Sequence, residues 1–206
     1  MISKPKSIFS TALNVLLPNY CRICDLFLEN HELLCGECKS LVPRIQGKVC
    51  NRCGLPLSGK DKSKGACVKC DKNISELSSL HAFGIYEQAL EKLVQQLKLH
   101  FDLNLTDHFA AKLSKIYIAK FGKEKKHDTL VTVPHHRFTL VKRGFDHLYN
   151  LGSALSFRLQ IPYRAELLIK TKWTRPQHKK SLAQRKANIS SNSFKVNGKE
   201  NLDGMK

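Results

Sequence analysis

No stretch of this 206-residue chain approaches the roughly 20 consecutive apolar residues that a bilayer-crossing helix needs. Acidic residues are scarce. Asp and Glu number 17 against 35 Lys and Arg, an excess of 35 − 17 = 18 positive charges. That imbalance excludes an acidic surface and raises the local concentration of polyanions, whether nucleic acid, polyphosphate groups or an acidic membrane surface. A plain basic, Lys-rich solvated surface gives the same number. The opening "MISKPKSIFSTALNVLLPNYC" lacks a small-x-small cleavage site and places Pro18 and Tyr20 where one would fall, so it does not read as a secretory signal. Ile8, Phe9, Ala12, Leu13, Leu16 and Leu17 fall at helical spacing instead, and residues 1–20 are expected to form a short amphipathic lead-in helix. A cytoplasmic location is expected.

Cysteine is missing after position 70, and that absence concentrates attention on what precedes it. All eight cysteines form four C-x-x-C pairs, "CRIC", "CGEC", "CNRC" and "CVKC", between Cys21 and Cys70. Two residues between cysteines let both sulfurs of a tight knuckle face one ion at about 2.3 Å. Two knuckles complete a tetrahedron, so four make two closed sites without an open catalytic position. A disulfide framework belongs to secreted chains, and a thioredoxin-like redox pair needs a strand–helix setting that is missing here. Two structural zinc ions are therefore expected within residues 21–75. Each ion with its four thiolates would carry 2 − 4 = −2, so two such sites would lower +18 to roughly +14. Four knuckles combine in three ways. The sequential sets, Cys21/Cys24/Cys35/Cys38 and Cys50/Cys53/Cys67/Cys70, close the shortest loops. The intervals between pairs leave room for short hairpins, and Gly36 and Gly54 are expected to serve the knuckle bends.

From residue 80 onward the pattern becomes α/β. "YEQALEKLVQQLKL" sets Tyr86, Leu90, Leu93, Val94 and Leu97 on one helical face. A second helix is expected with Thr106 as N-cap, Phe109, Leu113, Ile116 and Tyr117 inward, and Gly122 at its end. "TLVTVP" reads as a buried parallel strand closed by Pro134. Leu148, Leu151, Leu155 and Leu159 return to helical spacing, and "AELLIK" reads as another strand. Ligands of open α/β sheets sit beyond the carboxyl ends of strands. That rule puts Arg137, Lys142, Arg143 and Gly144 where a phosphate-bearing ligand would bind, although a basic surface loop would look similar. His135 and His136 are adjacent, point apart in an extended segment and show no partner spacing, so they read as non-ligands. A second basic stretch, "KTKWTRPQHKKSLAQRKAN", can be a lid over an anion or a nucleic-acid strip with Trp173 for base stacking and Lys179 and Lys180 beside it. It can equally be a solvated loop with Trp173 buried.

Four knuckles followed by "VTVPHHRFTLVKRGFDHLYNLGSALS" and "KTKWTRPQHKKSLAQRKANISSNSFKV" resemble the ComF family of competence proteins over nearly the whole chain. The family usually has Asn after Arg-Gly-Phe, where this chain has Asp146. The resemblance implies a double zinc ribbon joined to a type I phosphoribosyltransferase-like domain over residues 80–206. It also implies a role in DNA uptake during natural transformation or in use of external DNA. Phosphoribosyl diphosphate is the implied ancestral ligand, accompanied by Mg2+ in the complete fold. Single-stranded DNA and import helicase or recombination proteins are the implied partners. Pyrophosphate contacts would then come from Arg137, Lys142, Arg143 and Gly144 in the first loop and Lys172, Arg175 and Arg185 in the second. The family's hydrophobic strand ending in two acidic residues, followed by a Thr-Gly turn, does not occur in this sequence. "SFKVNGKENLDGMK" is read as the approach to it, with Phe194 and Val196 alternating like a strand edge, so the domain is expected to be C-terminally truncated and the chain inactive as a transferase. A non-enzymatic adaptor that binds single-stranded DNA or a helicase is the competing expectation.

Overall fold

The computed structural model describes residues 19–45, 47–57, 65–68, 70, 78–122, 127–174, 181, 183, 184, 188, 189 and 191–198. The expected lead-in helix at residues 8–17 lies outside them. The chain divides into two compact units, Met1–Gln96 and Leu97–Lys206. The described residues combine helices with small sheets, and a pair of four-cysteine clusters lies near the N-terminus.

In the first unit, β1 (Asn19–Tyr20) pairs antiparallel with β2 (Phe27–Leu28). The knuckle between Cys21 and Cys24 is the turn of this hairpin, rather than a neighbour of it. Helix α1 (Gly36–Ser40) starts after Cys35, its N-cap, and carries Cys38 inward. Gly36 lies in this helix with open space where a Cβ would go, so the bend expected there is absent; Gly54, at φ +71°, does need glycine's left-handed freedom.

The first knuckle is repeated 50 − 21 = 29 residues later. The N–H of Cys21 donates to the Leu26 carbonyl at 2.8 Å, and that of Cys50 to Leu55 at 2.8 Å. The next turn is closed by Asp25 N–H on the Cys21 carbonyl and by Gly54 N–H on Cys50. The pairing Tyr20↔Phe27 has its counterpart in the bridge Val49↔Pro56. Leu28 and Leu57 are buried at equivalent positions. "YCRICDLFL" and "VCNRCGLPL" are thus two copies of one motif. Downstream, Gly84 forms an antiparallel bridge with Arg44, and a Cβ on Gly84 would overlap the Pro43 carbonyl oxygen.

Helix α2 (Gln88–Leu99) buries Ala89, Leu90, Leu93 and Leu97, which the helical period brings onto one face. Tyr86 lies ahead of this helix and is exposed. In the second unit, α3 (Leu103–Phe121) is capped by Asp102, whose carboxylate accepts from the Leu105 N–H at 3.0 Å. Thr106 is not the cap. It is buried one turn inside, its hydroxyl donating to the Asp102 carbonyl. Both residue types favour N-caps, and the earlier one captures the first turn. Phe109 is buried as expected and Gly122 closes the helix at φ +81°.

Residues 129–134 are extended, but their pairing is a single parallel bridge, Leu130↔Tyr163. Leu130 donates to Pro162 and accepts from Arg164. Among the described residues no second neighbour flanks this segment, and Val133 is 63% exposed, so of the buried parallel strand expected for "TLVTVP" only the parallel direction is seen, in one bridge. Helix α4 (Arg137–Arg143) follows, then α5 (His147–Leu159), which packs along α3. Arg158 and Asp107 are ion-paired across that contact at 2.5 Å. Strand β3 (Leu168–Lys170) pairs antiparallel with β4 (Phe194–Val196), with Leu168 opposite Val196.

Candidate metal centres and the cationic turn

Each ribbon gathers four sulfurs from two knuckles. Cys21, Cys24, Cys35 and Cys38 form one cluster, Cys50, Cys53, Cys67 and Cys70 the other, with all ligand atoms of a cluster within 4.8 Å of one another. The sequential grouping is the one the chain adopts. Across the knuckles, Cys24 and Cys35 sulfurs are 3.8 Å apart and Cys53 and Cys67 sulfurs 3.7 Å. A tetrahedron with metal–sulfur bonds of about 2.3 Å has edges of about 3.8 Å, whereas a disulfide would bring sulfurs to about 2.05 Å. The donor sets therefore fit two structural zinc ions.

The backbone prepares the sulfurs for metal. The Cys35 N–H donates to the Cys21 sulfur and the Cys67 N–H to the Cys50 sulfur, both at 3.4 Å. Burial works against ionisation of Cys21, but N–H groups of Cys35, Cys24 and Ile23 outweigh it and bring the thiol down to about 6. N–H groups of Cys53 and Cys67 bring Cys50 to about 6. The last cysteine of each set goes the other way: burial and the neighbouring sulfurs push Cys38 up, and contact with Cys53, then burial, pushes Cys70 up to about 12. Cys21 and Cys50 thus favour the thiolate near neutral pH, and a bound dication would offset the penalty that Cys38 and Cys70 carry.

The second constellation surrounds α4. The segment expected to be a loop is a helix, because His136 caps it by accepting from the Phe138 N–H and Gly144 ends it at φ +79°. A Cβ on Gly144 would meet nothing within 4 Å, so its glycine serves the left-handed turn. Arg137 and Lys142 are exposed on α4, while Arg143 is half-buried and faces inward. Its Nη1 donates to Nδ1 of His147 at 2.9 Å and approaches Nε2 of His135 at 3.5 Å. Asp146 caps α5, accepting from the Leu148 and Tyr149 N–H groups at 2.9 and 3.2 Å.

Burial holds the His147 imidazole down at about 4, with His135 and Arg143 adding to the effect. Burial likewise lowers His135; Asp146 opposes, while Arg143, Lys170 and Lys98 reinforce the shift. Arg143 and Lys98 thus act on both histidines, and Lys170 on His135. Lys170, on β3, donates to Thr174 at 2.9 Å and lies 5.7 Å from the centroid of the Phe194 ring. Sequence reasoning passed over the histidines because residues 135 and 147 meet only through an intervening helix and the Gly144 turn. Trp173 is 53% exposed, which removes the reading in which it is buried, and Lys172 beside it is exposed. Arg175, Lys179, Lys180 and Arg185 lie outside the described residues.

A family model described as "Double zinc ribbon domain" matches residues 12–71. The N-terminal part of the chain is therefore a zinc-ribbon module, the same segment that carries both four-cysteine clusters. No curated protein and no solved structure matches the chain. No described helix is long and apolar enough to cross a membrane.

Proposed function

We propose that this chain is a ComF-type protein of DNA uptake, or of the use of external DNA, in which the zinc ribbon is joined to a phosphoribosyltransferase-like domain that takes a phosphate-bearing ligand. One observation carries the reading. In the "TVPHH…KRGFDH" stretch, His135 is surrounded by positive charge from Arg143 within the stretch and from Lys98 and Lys170 outside it, with Asp146 opposing them. A half-buried guanidinium beside further cations is suited to diphosphate oxygens. The single parallel bridge Leu130↔Tyr163 agrees in direction with such a domain. Asp146 is the one carboxylate in this cluster and is engaged as an N-cap, so these residues do not make a Mg2+ site unaided. The proposal concerns ligand binding and assigns no turnover.

Isothermal titration of the full chain with pyrophosphate and with phosphoribosyl diphosphate tests this. Binding should weaken about tenfold or more in Arg143→Ala and stay unchanged in Trp173→Ala. Absence of binding, or binding indifferent to Arg143, overturns it. A second reading, a single-stranded-DNA adaptor, is favoured by the exposed Trp173 next to Lys172. It requires an affinity that falls steeply with salt and drops in Trp173→Ala.

A further inference from the structure

Apart from the ribbons, one other set of metal-ligating side chains converges among the described residues. His135, Asp146 and His147 each offer one donor atom, and the three atoms lie within 4.8 Å of one another. The two imidazole rings are 4.9 Å apart at 45°. Nη1 of Arg143 stands at 2.9 Å from Nδ1 of His147 and 3.5 Å from Nε2 of His135. A guanidinium only donates, so both ring nitrogens face it with their lone pairs. Two unprotonated imidazole nitrogens and a carboxylate thus surround a place already held by a positive group. The cap bonds from the Leu148 and Tyr149 N–H groups fix the Asp146 carboxylate, as outer partners do for metal ligands.

We propose that His135, Asp146 and His147 form a third metal site, for a borderline divalent first-row ion such as Zn2+, Co2+ or Ni2+, and that Arg143 is the cation which the metal displaces. Mixed imidazole and carboxylate donors select that class over Mg2+ or Ca2+. Three protein ligands leave a position open, unlike the closed four-cysteine sites. The surrounding Arg143, Lys98 and Lys170 charges oppose a dication and Asp146 offsets them in part, so the site is weaker than the ribbons. The site needs only these side chains and does not rest on the proposed function.

The test uses the full chain with both ribbons loaded with zinc. Co2+ is added while visible absorption and protein-bound zinc are followed together. One further equivalent should bind, giving d–d bands without thiolate-to-cobalt charge transfer and without zinc release. His135→Ala, which alters a half-buried rather than a buried residue, and Asp146→Asn, which retains the cap oxygen, should each weaken uptake about tenfold or more. Arg143→Ala should tighten it by about tenfold. No third equivalent in the wild-type chain overturns the proposal. So does uptake unchanged in both His135→Ala and Asp146→Asn, or a spectrum that reports thiolate ligands.

Discussion

The ring of Tyr163 lies directly on the backbone of Gly152. A Cβ at Gly152 would sit 2.5 Å from the Cζ of that ring. From this position the Tyr163 hydroxyl reaches the Thr132 hydroxyl at 2.7 Å. One side chain therefore joins α5, the 129–134 segment and the chain that pairs with it, and so holds His135 and Asp146 on a common frame.

Gly152→Ala should accordingly destabilise the second unit, even though Ala is the better helix former by about 1 kcal/mol. Forcing a methyl into the ring costs about 1–3 kcal/mol, and the balance is a net loss in urea denaturation. Tyr163→Phe should lose about 1 kcal/mol through its hydrogen bond. Burial raises the Tyr163 phenol in the folded state, with the Thr132 bond acting in the opposite sense. A folded-state value above the unfolded one gives stability that is complete below the unfolded value and lost as pH rises through the folded one. The wild-type chain should therefore lose stability above about pH 10 more steeply than Tyr163→Phe, measured as denaturation midpoint against pH.

The zinc stoichiometry should respond to cysteines set by set. Cys24→Ser should release one ion and leave the second, Cys53→Ser should release the other, and the double variant should lose both. Native mass spectrometry counts them directly. Loss of both ions from either single variant would contradict two independent sequential sites. Chelation of all zinc should unfold both ribbons, since folding of such modules draws its free energy from the metal.

The two copies of the knuckle differ at one strained position. Asp25 has φ 57° where its counterpart Gly54 has φ 71°. An L-residue pays sterically for that region, Asp less than most. Asp25→Gly should stabilise the first ribbon by about 0.5–1 kcal/mol, read as slower zinc release to a chelator. The converse change, Gly54→Ala, should destabilise the second, because its Cβ would also press on the Leu80 side chain and carbonyl at 3.1 Å.

The ribbons were legible in the sequence because coordination chemistry restricts sulfur spacing so tightly that C-x-x-C repeated four times admits little else. The stripe of α2 was legible for a comparable reason: Leu90, Leu93 and Leu97 repeat with the helix period and are buried on it. The repeat of nine residues stood equally open in the sequence, but spacing arguments attend to cysteines and pass over Leu28 and Leu57. The cap of α3 was misplaced by one turn because Asp102 and Thr106 compete with similar chemistry, and only the chain direction before Leu103 decides. The isolated bridge at Leu130 shows a different limit. A β-branched run specifies an extended backbone, whereas a sheet also requires neighbours that lie elsewhere in the chain. The meeting of His135 with His147 depends on α4 and the turn at Gly144, a three-dimensional return with no periodic signature.

Lys170 separates stability from binding. Its ammonium is held below the usual range by burial, so the charged form is disfavoured in the folded state. A folded value below the unfolded one means stability increases with pH through the interval between them, and at neutral pH the charge is a burden. The hydrogen bond to Thr174 and the Phe194 ring offset part of it. Lys170→Met keeps the aliphatic stem between β3 and β4 and removes the charge. The variant should fold within about 0.5 kcal/mol of wild type and lose the upward slope of stability on the alkaline side. Its affinity for pyrophosphate should nevertheless fall severalfold, and the deficit should shrink as salt screens the charge it lacks. Equal affinity in the two chains at low salt would remove Lys170 from the proposed anion site and leave it as a strand residue alone.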